Sequence, residues 1–140
     1  MLFGSSGIRR KFDQTLVDTA LRVGSALASG SSDILVGMDT RTTSPLLAHL
    51  VISGILGSGA TAHVTGIAPT PSVAFSTRTV KAGCMITASH NPEEYNGLKL
   101  FNPNGSSFTQ SQQAEMEELI KIRHWTDWQH QGREREIDAL

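Results

Sequence analysis

Leu16, Ala20, Val23 and Leu27 recur at the spacing that lines up one face of an α-helix, and Gly30-Ser31-Ser32 stops the run. Asp33 to Met38 is short, apolar and β-branched, the pattern of a buried strand. The polar stretch Asp39 to Ser44 follows as a loop. Ser44-Pro45 then predicts an N-cap with proline at the first helical position, opening a helix that carries Leu46, Leu47, Leu50, Val51 and Ile55 to about Gly57-Ser58-Gly59. Thr61 to Thr65 predicts a second strand. Thr70-Pro71 repeats the cap-and-proline device and starts a helix through Thr79. Gly83 to Thr87 and Leu98 to Phe101 predict two further strands, with a strong turn at Asn102-Pro103-Asn104-Gly105. Thr109 with Gln112 forms a capping box that opens a helix to about Arg123.

Short buried strands alternating with helices predict an α/β fold: a three-layer α/β/α sandwich around a mostly parallel mixed sheet. The segment from Leu98 follows its predecessor too closely for a crossover helix, so it is the one antiparallel strand. Residues 1–123 read as one domain. Residues 124–140 turn polar and charged, with Trp125 and Trp128 isolated, and read as a linker or the start of a second domain.

Composition narrows the function classes. The chain has 140 residues and a formal net charge of −1, so no basic field points to nucleic acid. Its five histidines are scattered without zinc spacing. Cys84, the single cysteine, lies in an apolar run, so no internal disulfide forms and a buried core role is expected. The N-terminus lacks the features of a signal peptide, and no segment is long enough to span a bilayer; a cytoplasmic location is the expectation.

The chemistry concentrates in Thr87-Ala88-Ser89-His90-Asn91-Pro92 and Asn96-Gly97-Leu98-Lys99. A buried strand delivers a serine hydroxyl onto a tight loop, at the sheet end where open α/β folds place their sites. Asn91-Pro92 forces a turn, and Asn96-Gly97 turns the chain back, bringing Lys99 towards the same loop. A serine hydroxyl needs activation to act as a nucleophile. His90 is its immediate neighbour, which is poor geometry for a base, and no Gly-x-Ser-x-Gly elbow is present. A serine hydrolase is therefore a weak reading. By residue type alone, a turn serine bonded to its own backbone is the favoured reading of Ser89.

Two further segments could bind anions. Phe3-Gly4-Ser5-Ser6-Gly7-Ile8-Arg9-Arg10 offers backbone amides, the Ser6 hydroxyl and an arginine fork. In Gly37-Met38-Asp39-Thr40-Arg41-Thr42-Thr43-Ser44, Arg41 either approaches the site or pairs with Asp39 to shape the loop.

Together these strings resemble the phosphoserine loop, the Phe-Gly-Thr-x-Gly-Ile-Arg-Gly loop and the Gly-x-Asp-x-Arg-x-Ser segment of the α-D-phosphohexomutases. That family comprises phosphoglucomutase, phosphomannomutase and phosphoglucosamine mutase. Gly66-Ile67-Ala68-Pro69-Thr70-Pro71 is also similar, in a structural role. Arg10 departs from the family glycine. The resemblance covers residues 2–122 and implies the first of four domains. It implies that Ser89 carries a phosphoryl group between the 1- and 6-positions of a hexose phosphate, through a bisphosphate. It implies catalytic roles for Ser89, His90, Lys99 and Arg9, and phosphate contacts from Ser6, Arg9, Arg41, Asn91 and Lys99. Mg²⁺ would meet Ser89 through its phosphate, and a glucose 1,6-bisphosphate-type activator would charge the serine. No Asp-Gly-Asp-x-Asp metal loop occurs in the chain. The expectation is thus a domain that needs the remaining domains of the enzyme and does not turn over alone. The alternative is a free-standing sugar-phosphate or anion-binding domain without catalysis. The Ile-Ala-Pro-Thr-Pro and Asn-Pro-Asn-Gly strings lean towards the phosphomannomutase and phosphoglucosamine mutase branches.

Overall fold

A computed structural model of the chain describes residues 2–5, 7–122 and 124–139. In chain order its elements are β1 (Phe3–Gly4), β2 (Gly7–Lys11), α1 (Gln14–Gly30), β3 (Asp33–Met38), α2 (Ser44–Gly57) and β4 (Thr61–Ile67). There follow α3 (Thr70–Ser76), β5 (Ala82–Ile86), β6 (Tyr95–Phe101), α4 (Gln110–Leu119) and β7 (Glu134–Glu136). One mixed sheet runs in the order β1-β2-β6-β5-β3-β4-β7. β3, β4, β5 and β7 are parallel, while β6 is antiparallel to β5 and β2.

Side-chain alternation along the strands splits the core in two. Ile34, Val36, Cys84, Ile86, Leu98 and Leu100 pack under α1, α2 and α4. Leu35, Met85 and Phe101 face the other way and pack with Val73 of α3. This gives the expected three layers. The buried stripe of α1 contains all four residues predicted for it, Leu16, Ala20, Val23 and Leu27. Gly24 and Gly54 let α1 and α2 touch backbone to backbone, since a methyl on either would collide with the carbonyl of Val51 or of Leu21. No described helix is long and apolar enough to cross a membrane.

Several local expectations change. Asp13, not predicted, caps α1 by accepting from the Leu16 amide at 2.9 Å. Ser44 does not cap α2, because its hydroxyl donates to Asp39 Oδ1 at 2.6 Å; the cap position is Thr43. Pro69, not Thr70, precedes α3, and the last turn to Thr79 is 3₁₀. The capping box of Thr109 and Gln112 is present, but α4 ends at Leu119. Arg123, the expected helix end, lies outside the described residues.

The Gly/Ser-rich N-terminus, read as a loop, is a hairpin. It pairs with β6, because Ile8 supplies a buried strand position opposite Leu98. The tail beyond His124, read as a linker or a new domain, docks on the sheet. The Thr126 amide donates to the Gly57 carbonyl at 2.9 Å, and the Gly132 amide to the Leu56 carbonyl at 2.8 Å. β7 then pairs with β4 through Ala62↔Glu134 and Val64↔Glu136.

Candidate active site

β5 delivers the chain at Ile86, and Thr87 and Ala88 remain buried before the backbone reverses. Two bonds close the reversal: the Asn91 amide donates to the Ala88 carbonyl at 3.0 Å, and the Tyr95 amide to the Pro92 carbonyl at 2.9 Å. The turn is therefore over by Tyr95. Asn96 and Gly97, expected to form it, already belong to β6. Ser89 sits at the apex with φ 52°, a left-handed conformation uncommon for a residue with a side chain. Its amide donates to Thr87 Oγ1 at 3.0 Å. Its hydroxyl oxygen, exposed, accepts from Arg9 Nη2 at 2.9 Å.

Arg9 reaches Ser89 because β2 pairs with β6 in a register that sets Arg9 opposite Gly97. The missing side chain is the opening that Arg9 uses. A methyl at Gly97 would lie 3.1 Å from Arg9 Cγ and collide with the Ile8 carbonyl. Arg9 Nε is buried and has no hydrogen-bond partner among the described residues. An unsatisfied guanidinium donor close to an exposed hydroxyl suits an anionic group there, since charge-assisted bonds to phosphate are stronger than neutral ones.

The other expected residues divide. His90 is exposed and Asn91 half-buried, and neither side chain bonds to a described residue. Lys99 pairs with Met85, so it lies on the α3 face of the sheet, as Arg9 does. Its ammonium sits over the Phe101 ring, 5.7 Å from the centroid, and no hydrogen bond joins it to the Ser89 loop. Ser6 lies outside the described residues. Ser89 Oγ has no histidine partner among the described residues, so the geometry of a serine hydrolase is not met.

Arg41 is used differently from a phosphate ligand. Nη1 donates to the carbonyls of Pro92 at 2.6 Å and Tyr95 at 3.0 Å. Nη2 donates to those of Ser89 at 3.0 Å and Asn91 at 2.6 Å. Nε lies 3.5 Å from Asp39 Oδ2. All five of its N–H groups thus face protein oxygens. Asp39 Oδ1 in turn accepts from the Arg41 amide at 3.1 Å and from the Ser44 hydroxyl. The fully buried Asn96 ties this segment to β6. Its Nδ2 donates to Thr43 Oγ1 at 2.9 Å and Ser44 Oγ at 3.0 Å, while its Oδ1 accepts from the Gly97 amide at 2.8 Å. Little in the sequence hints at this network, since Asn96 precedes the predicted strand from Leu98 and Asn-Gly signals a turn.

Electrostatics around the site are local. Glu117 of α4 accepts from the amides of Phe3 and Leu2, which hold its carboxyl below the usual range and pin β1, the first strand of the hairpin bearing Arg9. The Arg10 guanidinium, with the Leu16 amide, lowers Asp13. Burial pushes the Cys84 thiol up to about 12, so it stays neutral and unreactive. Among the described residues no group of three or more His, Cys, Asp or Glu side chains could hold a metal ion.

The sequence profile described as phosphoglucomutase/phosphomannomutase, alpha/beta/alpha domain I, matches residues 1–126. The phosphoglucosamine mutase of Methanococcus vannielii is 45% identical over 126 residues, covering 90% of this chain and 28% of that protein. The crystal structure of a phosphoglucomutase/phosphomannomutase family protein from Burkholderia thailandensis superposes with a TM-score of 0.84 at 25% identity. It covers 98% of this chain and 33% of that one. A putative phosphomannomutase from Thermus thermophilus gives 0.80 at 28% identity, covering 97% and 32%. The chain therefore spans about a third or less of the length of these relatives. With the Ser89 loop, the Arg9 hairpin and the Asp39–Arg41 segment in one α/β/α sheet, this chain belongs to the phosphoglucomutase/phosphomannomutase family, as its α/β/α domain I.

Proposed function

We propose that this chain is the phosphoserine-bearing domain of a hexose-phosphate mutase, with Ser89 as the phosphoryl carrier. The observation that carries the reading is the contact of Arg9 Nη2 with an exposed Ser89 Oγ, beside a buried Arg9 Nε that lacks a partner. In the proposed step the bond between Ser89 Oγ and phosphorus breaks as a sugar hydroxyl oxygen bonds to phosphorus. The sugar hydroxyl gives up its proton, and Ser89 Oγ regains one when the serine is released. The product bisphosphate returns its other phosphoryl group to Ser89 by the reverse events.

Arg9 would balance the charge of the transferred group, since such reactions depend on positioning and charge neutralisation. His90, exposed beside the carrier, and Lys99, about 7 Å from Arg9 across the strand pair, are the side chains available for proton or phosphate contacts. Mg²⁺ would supply further charge neutralisation at the Ser89 phosphate. The described carboxylates do not cluster for it, so its other ligands would come from outside this chain. A hexose phosphate as substrate and the enzyme's other domains as partners follow from the same reading. Glucosamine phosphate is favoured by the phosphoglucosamine mutase relatives.

Incubation with glucose 1,6-bisphosphate and Mg²⁺, followed by intact mass and site mapping, tests the proposal. One phosphate on Ser89, absent from Ser89→Ala, is expected, with no detectable mutase turnover by the chain alone. Full turnover would overturn the requirement for other domains. An unmodified Ser89 in a chain that still binds sugar phosphate would leave an anion-binding domain instead.

A further inference from the structure

Arg41 stands about fifty residues before the loop it contacts, yet its fork takes four carbonyls from a seven-residue stretch, those of Ser89, Asn91, Pro92 and Tyr95. Such a set does not arise from Asp39–Arg41 pairing alone. Peptide groups whose carbonyls converge on one cation have the negative ends of their dipoles bound there. Those oxygens are then unavailable to oppose an anion held on the serine. The Ser89 carbonyl is among them, and fixing it fixes the peptide plane that follows the left-handed Ser89. The His90 amide, which shares that peptide plane, bonds to no described residue. Meanwhile no side chain of the turn from Ser89 to Asn91 is needed to hold it, so the serine hydroxyl remains with Arg9 alone.

We infer that Arg41 is a positioning residue: its guanidinium draws the carbonyls of the 89–95 turn onto itself and so holds Ser89 in the left-handed conformation that presents its hydroxyl to Arg9. Asp39 fixes the guanidinium from behind through Nε and the Arg41 amide. The role needs a planar fork. A lysine brings the same charge but only three donors on one atom, and cannot bridge four carbonyls set around a plane. The catalytic meaning of this clasp rests on Ser89 being the phosphoryl carrier; the clasp itself does not.

The test compares the unsubstituted chain with Arg41→Lys and Arg41→Ala by two independent readouts. One is amide hydrogen exchange across residues 88–95, with β3 and β5 as internal references. The other is the rate of phosphate uptake at Ser89 from glucose 1,6-bisphosphate and Mg²⁺. Both variants are expected to exchange at least tenfold faster in 88–95 with the references unchanged, and to take up phosphate at least tenfold more slowly. Methylguanidinium in solution should restore part of both in Arg41→Ala. Unchanged exchange in 88–95, or full function in Arg41→Lys, overturns the inference. If Arg41→Ala does not fold, Arg41→Lys decides it by the same exchange readout. If the unsubstituted chain takes no phosphate, the carrier reading falls, and exchange with methylguanidinium rescue still decides whether Arg41 shapes the turn.

Discussion

Two turns lead out of neighbouring strands, and they are held in opposite ways. The turn after β6, residues 102–107, is held by its own neighbourhood. Asn104 Oδ1 accepts from the Ser106 amide and hydroxyl, Asn102 exchanges side-chain bonds with Gln112, and Gly105 takes the positive φ. The side chains of Asn102, Asn104 and Ser106 are all engaged in making the turn. The turn after β5, residues 88–95, closes on two backbone bonds of its own and is clasped from outside by Arg41, and its serine, histidine and asparagine side chains are left for other partners. Outside support is the arrangement that leaves chemistry-bearing side chains free while the backbone stays fixed. A self-held loop leaves few.

The largest expected break in this comparison is Gly97→Ala. The added methyl meets the Ile8 and Thr87 carbonyls, both backbone, at the seam beneath the 88–95 turn. A loss of about 3 kcal/mol in urea unfolding is expected, because packed backbone cannot give way. A loss below about 0.5 kcal/mol would show that the β2–β6 seam yields and that Arg9 does not depend on it.

Next comes the pair Asn96→Ala and Asn104→Ala. The first removes a buried amide and orphans the Gly97 N–H, for about 2 kcal/mol. It should also speed exchange in 88–95, since the segment before α2 loses its tie to β6. The second removes exposed, local bonds, for about 1 kcal/mol or less, and should leave 88–95 untouched. If Asn104→Ala disturbs 88–95 as much as Asn96→Ala does, the two turns are not independent and the comparison fails.

The smallest effect concerns the hairpin that brings Arg9 to the site. Glu117 has a lowered pKa when folded, so its contribution is complete above its ordinary value of about 4.5 and is lost as pH falls through the folded value. NMR signals of the Leu2 and Phe3 amides should therefore shift in acid, and the shift should vanish in Glu117→Gln. An acid shift that persists in Glu117→Gln would assign it to another group.

The sequence was most legible where structure is encoded by neighbours. The α1 stripe, the Thr109–Gln112 box, the parallel β3–β5 core and the antiparallel return to Phe101 all rest on periodicity or short-range bonds. The misread positions depend on residues far along the chain. Ser44 looks like a cap until its hydroxyl is taken up, donating to Asp39 and accepting from the distant Asn96. Asn96-Gly97 looks like a turn until β2 needs a strand edge without a side chain. β7 carries no apolar alternation, because it only completes an edge. Within the site, Ser89 and Arg9 stood out as residue types, and their contact awaited the β2–β6 register. The two readings of Arg41 are joined in the structure: it pairs with Asp39, and the loop it shapes is that of Ser89.

β7 also bears on how the protein can be handled. Without it, β4 would end the sheet with a row of unpaired amides and carbonyls, the template on which chains add to one another and aggregate. Glu134, Arg135 and Glu136 cover that edge with exposed, alternating charge, a poor surface for a further strand. Shortening the chain to residue 126, where the family match ends, would strip this cover while leaving the Ser89 site intact in sequence. A trimmed domain of that kind is expected to be lost to self-association before its chemistry could be measured.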